Sequence, residues 1–187
     1  MTQPASPKVL VVYFSRTGST RKIAEAIANA TDADLEELRE SRPRRGLLGW
    51  LRSGYEGTYR LSSRPLPPLR EPSNYQIVFI GSPTWNSSLA SPVRGFLEEY
   101  GKSLCDVALF ATCGQRGADE VLAQMAELLA SAPLAMLPLR ETEVVHGAAV
   151  EVGDFVESSL VAWEKRHPAQ PQQERVQVQS AHGCGSG

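Results

Sequence analysis

The sequence predicts an α/β protein built on an open parallel sheet. Three apolar runs point to it, at 9–14 (VLVVYF), 76–80 (QIVFI) and 107–111 (VALFA). Each run is continuous rather than alternating, which fits strands buried on both faces. Each leads through a polar loop into a stretch with helical spacing, the rhythm of βα units.

The first run passes directly into Ser15-Arg16-Thr17-Gly18-Ser19-Thr20. A helix over 20–30 is expected next, with Ile23, Ala24, Ile27 and Ala30 on one face. A helix N-terminus presents free backbone N–H groups and the positive end of the helix dipole. Preceded by a hydroxyl-rich turn, it forms an anion site, and the expected guest is a phosphate. The loop has no Gly-x-Gly-x-x-Gly and no Gly-Lys-Ser/Thr, which argues against a dinucleotide fold and a triphosphatase loop. No cysteine begins it, so a cysteine-phosphatase cradle is missing. The alternative is a short polar connection with a good N-cap.

A second strand is expected at about 34–39. Residues 41–75 then make a long connection with seven arginines (42, 44, 45, 52, 60, 64 and 70) against Glu56 and Glu71. The rest of the chain is acidic, so the formal net charge of −2 hides an asymmetry. Leu47, Leu51 and Tyr55 have helical spacing, and Pro65, Pro67 and Pro68 predict an extended, irregular stretch. The insert reads either as a docking patch for an anionic partner or as a crossover with solvated arginines. A pI near 6.0 gives nucleic-acid binding little support.

The run at 76–80 is followed by Gly81-Ser82-Pro83-Thr84-Trp85-Asn86-Ser87-Ser88. Loops at the carboxyl ends of parallel strands are where open α/β sheets bind ligands. An indole there can cover a flat ring by offset stacking, or it can simply pack its own loop. Ser91 and Pro92 read as N-cap and first helical residue, and Val93, Phe96, Leu97 and Tyr100 continue the helix. The run at 107–111 leads into Thr112-Cys113-Gly114-Gln115-Arg116-Gly117, then a helix carrying Val121, Met125, Leu128 and Leu129. Three such loops imply a phosphate pocket and two walls for a planar ring.

With these residues the chain resembles the flavodoxin family over about residues 8–166. The segment from Tyr13 to Thr20 looks like the loop that holds the FMN phosphate, and Gly81 to Trp85 like the loop whose tryptophan stacks on the isoalloxazine. Thr112-Cys113-Gly114 falls where the third flavin loop belongs. The resemblance implies FMN as cofactor and a doubly wound five-stranded parallel sheet in the order 2-1-3-4-5, with helices on both faces. It implies a site made of Ser15, Arg16, Thr17, Gly18, Ser19, Thr20, Pro83, Thr84, Trp85, Asn86, Ser87, Thr112, Cys113, Gly114, Gln115 and Gly117.

The third loop offers no aromatic residue for the second ring face, which leaves Trp50, Tyr55 or Tyr59 of the insert, or an open face. The residues after Trp85 carry no acid. Carboxylates near the ring disfavour its anionic reduced form, so a less negative potential than that of a specialised carrier is expected. Asn86 stands near the position where carriers place a glycine for a backbone flip. Asparagine tolerates positive φ less well than glycine, so stabilisation of a half-reduced flavin is expected to be weaker.

A chain of 187 residues suits one α/β domain. The expected organisation is a disordered start at 1–7, a domain over 8–167 and a disordered Gln/Pro/Ser/Gly tail over 168–187. Cys105, Cys113 and Cys184 form no C-x-x-C pair; Cys105 reads as a small buried residue, and Cys113 as either a thiol near the ring or a small residue in a crowded turn. No metal site is indicated. No apolar run reaches the ~20 residues of a membrane helix and no signal-peptide core is apparent, which predicts a cytoplasmic protein. Two functions remain open: an electron carrier between a reductase and an acceptor, or an FMN-dependent NAD(P)H reductase of quinones or similar acceptors. A receiver-type regulatory domain lacks its acidic cluster here, and a scaffold that has lost its flavin is a further alternative. The expected partners are a redox protein, or NAD(P)H with a small acceptor, with no nucleic acid and no membrane; the chain is expected to be a monomer or homodimer.

Overall fold

The computed structural model describes residues 7–39, 66–145 and 147–168. In chain order the elements are β1 (Val9–Tyr13), α1 (Ser19–Thr31), β2 (Asp34–Glu37), a 3-10 turn (Pro72–Asn74), β3 (Ile77–Trp85) and β4 (Ser88–Leu89). Then come α2 (Ser91–Tyr100), β5 (Asp106–Cys113), α3 (Ala118–Ala126), β6 (Met136–Arg140), α4 (Glu141–Val145) and α5 (Ala149–Arg166).

The strands lie in the order β2-β1-β3-β5-β6, all parallel, with β4 paired antiparallel to the end of β3. Counted along the parallel strands, this is the predicted order 2-1-3-4-5. In register, Val9 to Tyr13 face Ile77 to Gly81, and Ile77 to Pro83 face Asp106 to Thr112.

Strand alternation divides the core into two layers. Leu10, Val12, Val78, Ile80, Leu109 and Ala111 pack with Val93, Phe96 and Leu97 of α2 and Val121, Leu122 and Met125 of α3. Val9, Val11, Ile77, Phe79, Ala108 and Phe110 point the other way, onto Ile23, Ala24 and Ile27 of α1 and Val152, Phe155 and Val156 of α5. Phe79, Phe96 and Phe110 are completely buried, each stabilising the fold by about 1.5–3 kcal/mol. Both faces need covering, which is why the strands read as unbroken apolar runs.

Several boundaries differ from the sequence expectation. β3 does not stop at Ile80. It runs on to Trp85 because Ser82 and Pro83 stay paired with Ala111 and Thr112, and Thr84 and Trp85 turn back onto β4. β5 likewise includes Thr112 and Cys113, since β6 pairs alongside as far as Arg140. Ser91 is not a cap: Ala90 takes that position, and Ser91 is buried in the first turn with Pro92. Cys105 is exposed rather than buried, because it precedes β5 by one residue.

The far end of the sheet is fastened by Asp106. Its buried carboxylate accepts from Arg166 Nη1 at 2.8 Å and from His167 Nε2 at 2.6 Å, while Arg166 Nη2 donates to the Ala132 carbonyl at 2.9 Å. Arg70 of the basic insert lies against the β2 edge, 3.2 Å from Asp34 Oδ1 and donating to the Leu35 carbonyl at 3.1 Å. Tyr75 donates to Asp34 Oδ2 at 2.7 Å, and that bond, with Arg70 nearby, holds the Asp34 carboxyl below its ordinary range. The other six arginines of the insert lie outside the described residues, as do the helical spacing at 47–55, Trp50, Tyr55, Tyr59, Cys184 and nearly all of the expected disordered ends. Among the described residues no helix is long and apolar enough to cross a membrane.

Gly81 marks the tightest packing in the sheet. A Cβ there would lie 2.1 Å from the Phe110 ring, which is itself fully buried. Gly81→Ala is therefore expected to destabilise the fold by roughly 1–3 kcal/mol. A urea unfolding midpoint equal to that of the parent would show that the Phe110 ring can move aside.

Candidate functional site

The carboxyl ends of β1, β3 and β5 bring the three expected loops to one edge of the sheet. In the first, Ser15 Oγ accepts from Gly18 N at 3.2 Å and from Arg21 N at 3.3 Å, which curls the loop around its hydroxyl. A Cβ placed on Gly18 would meet nothing within 4 Å, so the loop opens to one side. Thr17 and Ser19 point their hydroxyls at a common acceptor, Glu141 Oε1, at 3.4 and 3.2 Å. A carboxylate at the N-terminus of α1, held by hydroxyl donors, is a stand-in for an anionic ligand.

The first arginine of α1 is paired away from this loop. Arg21 forks onto Glu37 of β2 at 2.6 and 2.8 Å, a pairing that holds its guanidinium firmly protonated. Arg16 is exposed. Thr20 is buried, and its Oγ1 lies 2.8 Å from Thr112 Oγ1. These two expected ligand residues therefore tie the first loop to the end of β5 across β3, and their hydroxyls are engaged with each other.

The second loop is a tight hairpin. Trp85 pairs with Ser88 and Thr84 with Leu89, leaving Asn86 and Ser87 as the two central residues, both at positive φ (49° and 55°). This is the mirror-image turn that suits the strand twist. Serine is costly in that conformation, and the neighbourhood holds it there. Gln124 Oε1 accepts from Leu89 N at 3.3 Å and from Arg94 Nη2 at 2.8 Å, and Gln124 Nε2 donates to the Ser87 carbonyl at 3.3 Å. Arg94 and Gln124 are both 8% exposed, so a charge and an amide are sunk beneath the hairpin.

Trp85 is 7% exposed, belongs to the core layer of α2 and α3, and meets Phe14 edge-on at 5.6 Å. Beside it, Thr84 Oγ1 is buried without a hydrogen-bond partner among the described residues, and Pro83 is half-buried. An orphaned hydroxyl at a loop mouth fits a missing polar ligand.

In the third loop Gly114, Gln115 and Arg116 are exposed, while Cys113 and Gly117 are buried. Burial pushes the Cys113 thiol pKa up, against a partly offsetting hydrogen bond from the Ala118 backbone, so the thiol is a poor nucleophile near neutrality. This is the packed alternative rather than a reactive thiol. Gly117 sits at φ 100°, where a Cβ would come within 2.9 Å of Ser87 Oγ and 3.1 Å of Thr84 Cγ2. The second and third loops thus touch directly. Beyond them lies an open cavity of about 370 Å³, lined by Gln115, Arg116, Arg140 and Glu143 among others. Among the described residues no cluster of His, Cys, Asp and Glu is placed to hold a metal.

Sequence reasoning missed three residues. Gln124 and Arg94 were visible only as polar residues on otherwise buried helix stripes, next to Met125 and Val93. Glu141 had no local signal, because it lies more than 120 residues from the hydroxyls it meets.

The comparisons agree with this geometry. The family profile described as flavodoxin matches residues 8–151. A flavoprotein from Lactobacillus acidophilus, solved in complex with FMN, is 23% identical, with 75% of this chain and 97% of that one covered and a TM-score of 0.58. A flavoprotein from Bacteroides eggerthii is 25% identical over 77% of this chain and 97% of that one, with a TM-score of 0.59. One from Bacteroides uniformis is 24% identical over 80% and 97%, with a TM-score of 0.64. No curated protein matches the chain.

Gln124→Ala removes the acceptor of Leu89 N and the donor to the Ser87 carbonyl. It is expected to lower stability by about 1–3 kcal/mol and to loosen the hairpin. Hydrogen exchange at Leu89 N that stays as slow as in the parent would show that the glutamine does not hold the turn.

Proposed function

The chain belongs to the flavodoxin family, and we propose that it is a redox protein that carries electrons on FMN between a reductase and an acceptor. The observation that carries this reading is the open hydroxyl loop at the N-terminus of α1, whose donors already converge on a carboxylate. The donor set suits a phosphate: neutral hydroxyls of Ser15, Thr17 and Ser19, backbone N–H groups, and the positive end of the α1 dipole. Bound FMN supplies one- and two-electron redox chemistry.

The remaining steps belong to the chain. Ser15, Thr17, Gly18 and Ser19 bind the phosphate. Thr20 and Thr112 hold the first loop against β5. Thr84 Oγ1 would offer the cofactor a hydrogen-bonding hydroxyl. Gln124, Arg94 and Gly117 keep the hairpin 85–88 and the third loop in fixed relation, so the ring site is preorganised. Cys113 stays protonated and does not compete with the cofactor as a nucleophile. The proposed partners are proteins that meet the exposed edge formed by Asn86, Ser87 and Gly114 to Arg116.

A second reading, an FMN-dependent NAD(P)H reductase, is favoured by one feature. The third loop is exposed without an aromatic residue, and the adjoining cavity presents Arg116 and Arg140, which suit an anionic nicotinamide phosphate.

Two measurements test these readings. Thr17→Ala with Ser19→Ala is expected to weaken FMN binding by about 1.5–3 kcal/mol for each charge-assisted bond lost. Unchanged affinity by fluorescence titration would place the phosphate elsewhere. Stepwise anaerobic reduction of the FMN-loaded protein, followed by absorbance, separates carrier from reductase. A long-wavelength half-reduced form at the midpoint is expected for the carrier. Direct passage to full reduction, with rapid NADPH oxidation in the presence of a quinone, would replace it with the reductase.

A further inference from the structure

We propose that Glu141 is the chain's own occupant of the phosphate donors, and that it sets how strongly the site prefers a phosphorylated flavin to an unphosphorylated one. The inference rests on the reading that the first loop takes the FMN phosphate. Glu141 opens α4 immediately after β6, and one carboxylate oxygen accepts from both Ser19 Oγ at 3.2 Å and Thr17 Oγ1 at 3.4 Å. Those two hydroxyls themselves lie 3.5 Å apart, so a single oxygen position serves both. A phosphate oxygen on the same hydroxyls would claim the place Glu141 Oε1 now holds.

Of the charges near the loop, Arg21 is already paired, Arg16 is exposed to solvent, and a second acid stands on α4. Arg21, the helix cation closest in sequence to the loop, is committed to Glu37 through both carboxylate oxygens. Arg140, next to Glu141, gives its backbone N–H to Glu143 Oε2 at 2.6 Å, and Glu143 adds a second acid to α4. Among the described residues the hydrogen-bond partners of Glu141 are neutral hydroxyls, which hold a carboxylate by hydrogen bonds and the α1 dipole. An arriving phosphate either displaces the Glu141 side chain or sits beside a like charge within a few ångströms. Both routes subtract from the affinity for FMN. Neither touches riboflavin, which carries no phosphate.

Fluorescence titration of the full chain with FMN and with riboflavin, for the parent and for Glu141→Gln, tests this. Glutamine keeps the size of the side chain and its capacity to accept from the two hydroxyls, and removes the charge. The FMN dissociation constant is expected to fall about tenfold or more in the variant, with riboflavin affinity unchanged. On a Thr17→Ala, Ser19→Ala background the gain should shrink, because the hydroxyls that bring carboxylate and phosphate together are gone. A parent that binds FMN poorly beside a variant that binds it well supports the inference most strongly. Equal FMN affinity for the two proteins overturns it while leaving the FMN reading standing, and so does a gain of the same size for riboflavin. If neither protein binds FMN, the reading fails and the inference falls with it.

Discussion

Burial of β3 on both faces leaves its backbone no water to bond, so both of its edges must be paired along their length. β1 takes one edge and β5 the other, and the two registers are continuous from Ile77 onward. The pairing with β5 reaches Pro83, past the point where the apolar run ends, and the hairpin with β4 takes up Thr84 and Trp85. The site inherits its shape from that demand. The first and third loops flank β3 at fixed spacing, the Thr20–Thr112 hydrogen bond can span it, and Gly81 must be small because the Phe110 ring from β5 lies against it.

The hairpin after β3 shows how a locally unfavourable conformation is held. Asn86 and Ser87 both sit in the left-handed region, and no glycine relieves the second of them. A turn of this kind persists when its surroundings over-determine it. Here Gln124 grips it from α3, Arg94 backs the glutamine from α2, and Gly117 lets the third loop close against Ser87. The second and third loops are therefore packed directly against each other.

The first loop, the proposed phosphate site, presents mainly hydroxyls. Its hydroxyl donors are neutral, Arg21 beside it is paired with Glu37, and Glu141 of the same chain accepts from two of those hydroxyls. Affinity for a phosphate then depends on hydrogen-bond geometry and on the dipole of α1 more than on opposite charge. Of the seven arginines in the insert, Arg70 is structural, fastening the edge strand β2 through Asp34 and the Leu35 carbonyl.

Four of the parallel strands and the hydroxyl loop were legible in the chain, because each depends on local pattern: apolar runs, helical spacing, and a hydroxyl-and-glycine turn before a helix; the strand order came from family resemblance, and β6 at 136–140, with no such run, was not placed. The sequence by itself determined four strands of the sheet, β1, β2, β3 and β5, and which loops follow β1, β3 and β5. Only the tertiary structure decided which way each side chain faces. It turned Trp85 into the core, paired Thr20 with Thr112, lengthened β3 and β5 beyond their apolar runs, left Cys105 exposed, and brought Glu141 to Thr17 and Ser19. These outcomes arise from pairing and packing between segments far apart in the chain, and a local pattern carries no record of what will stand opposite it.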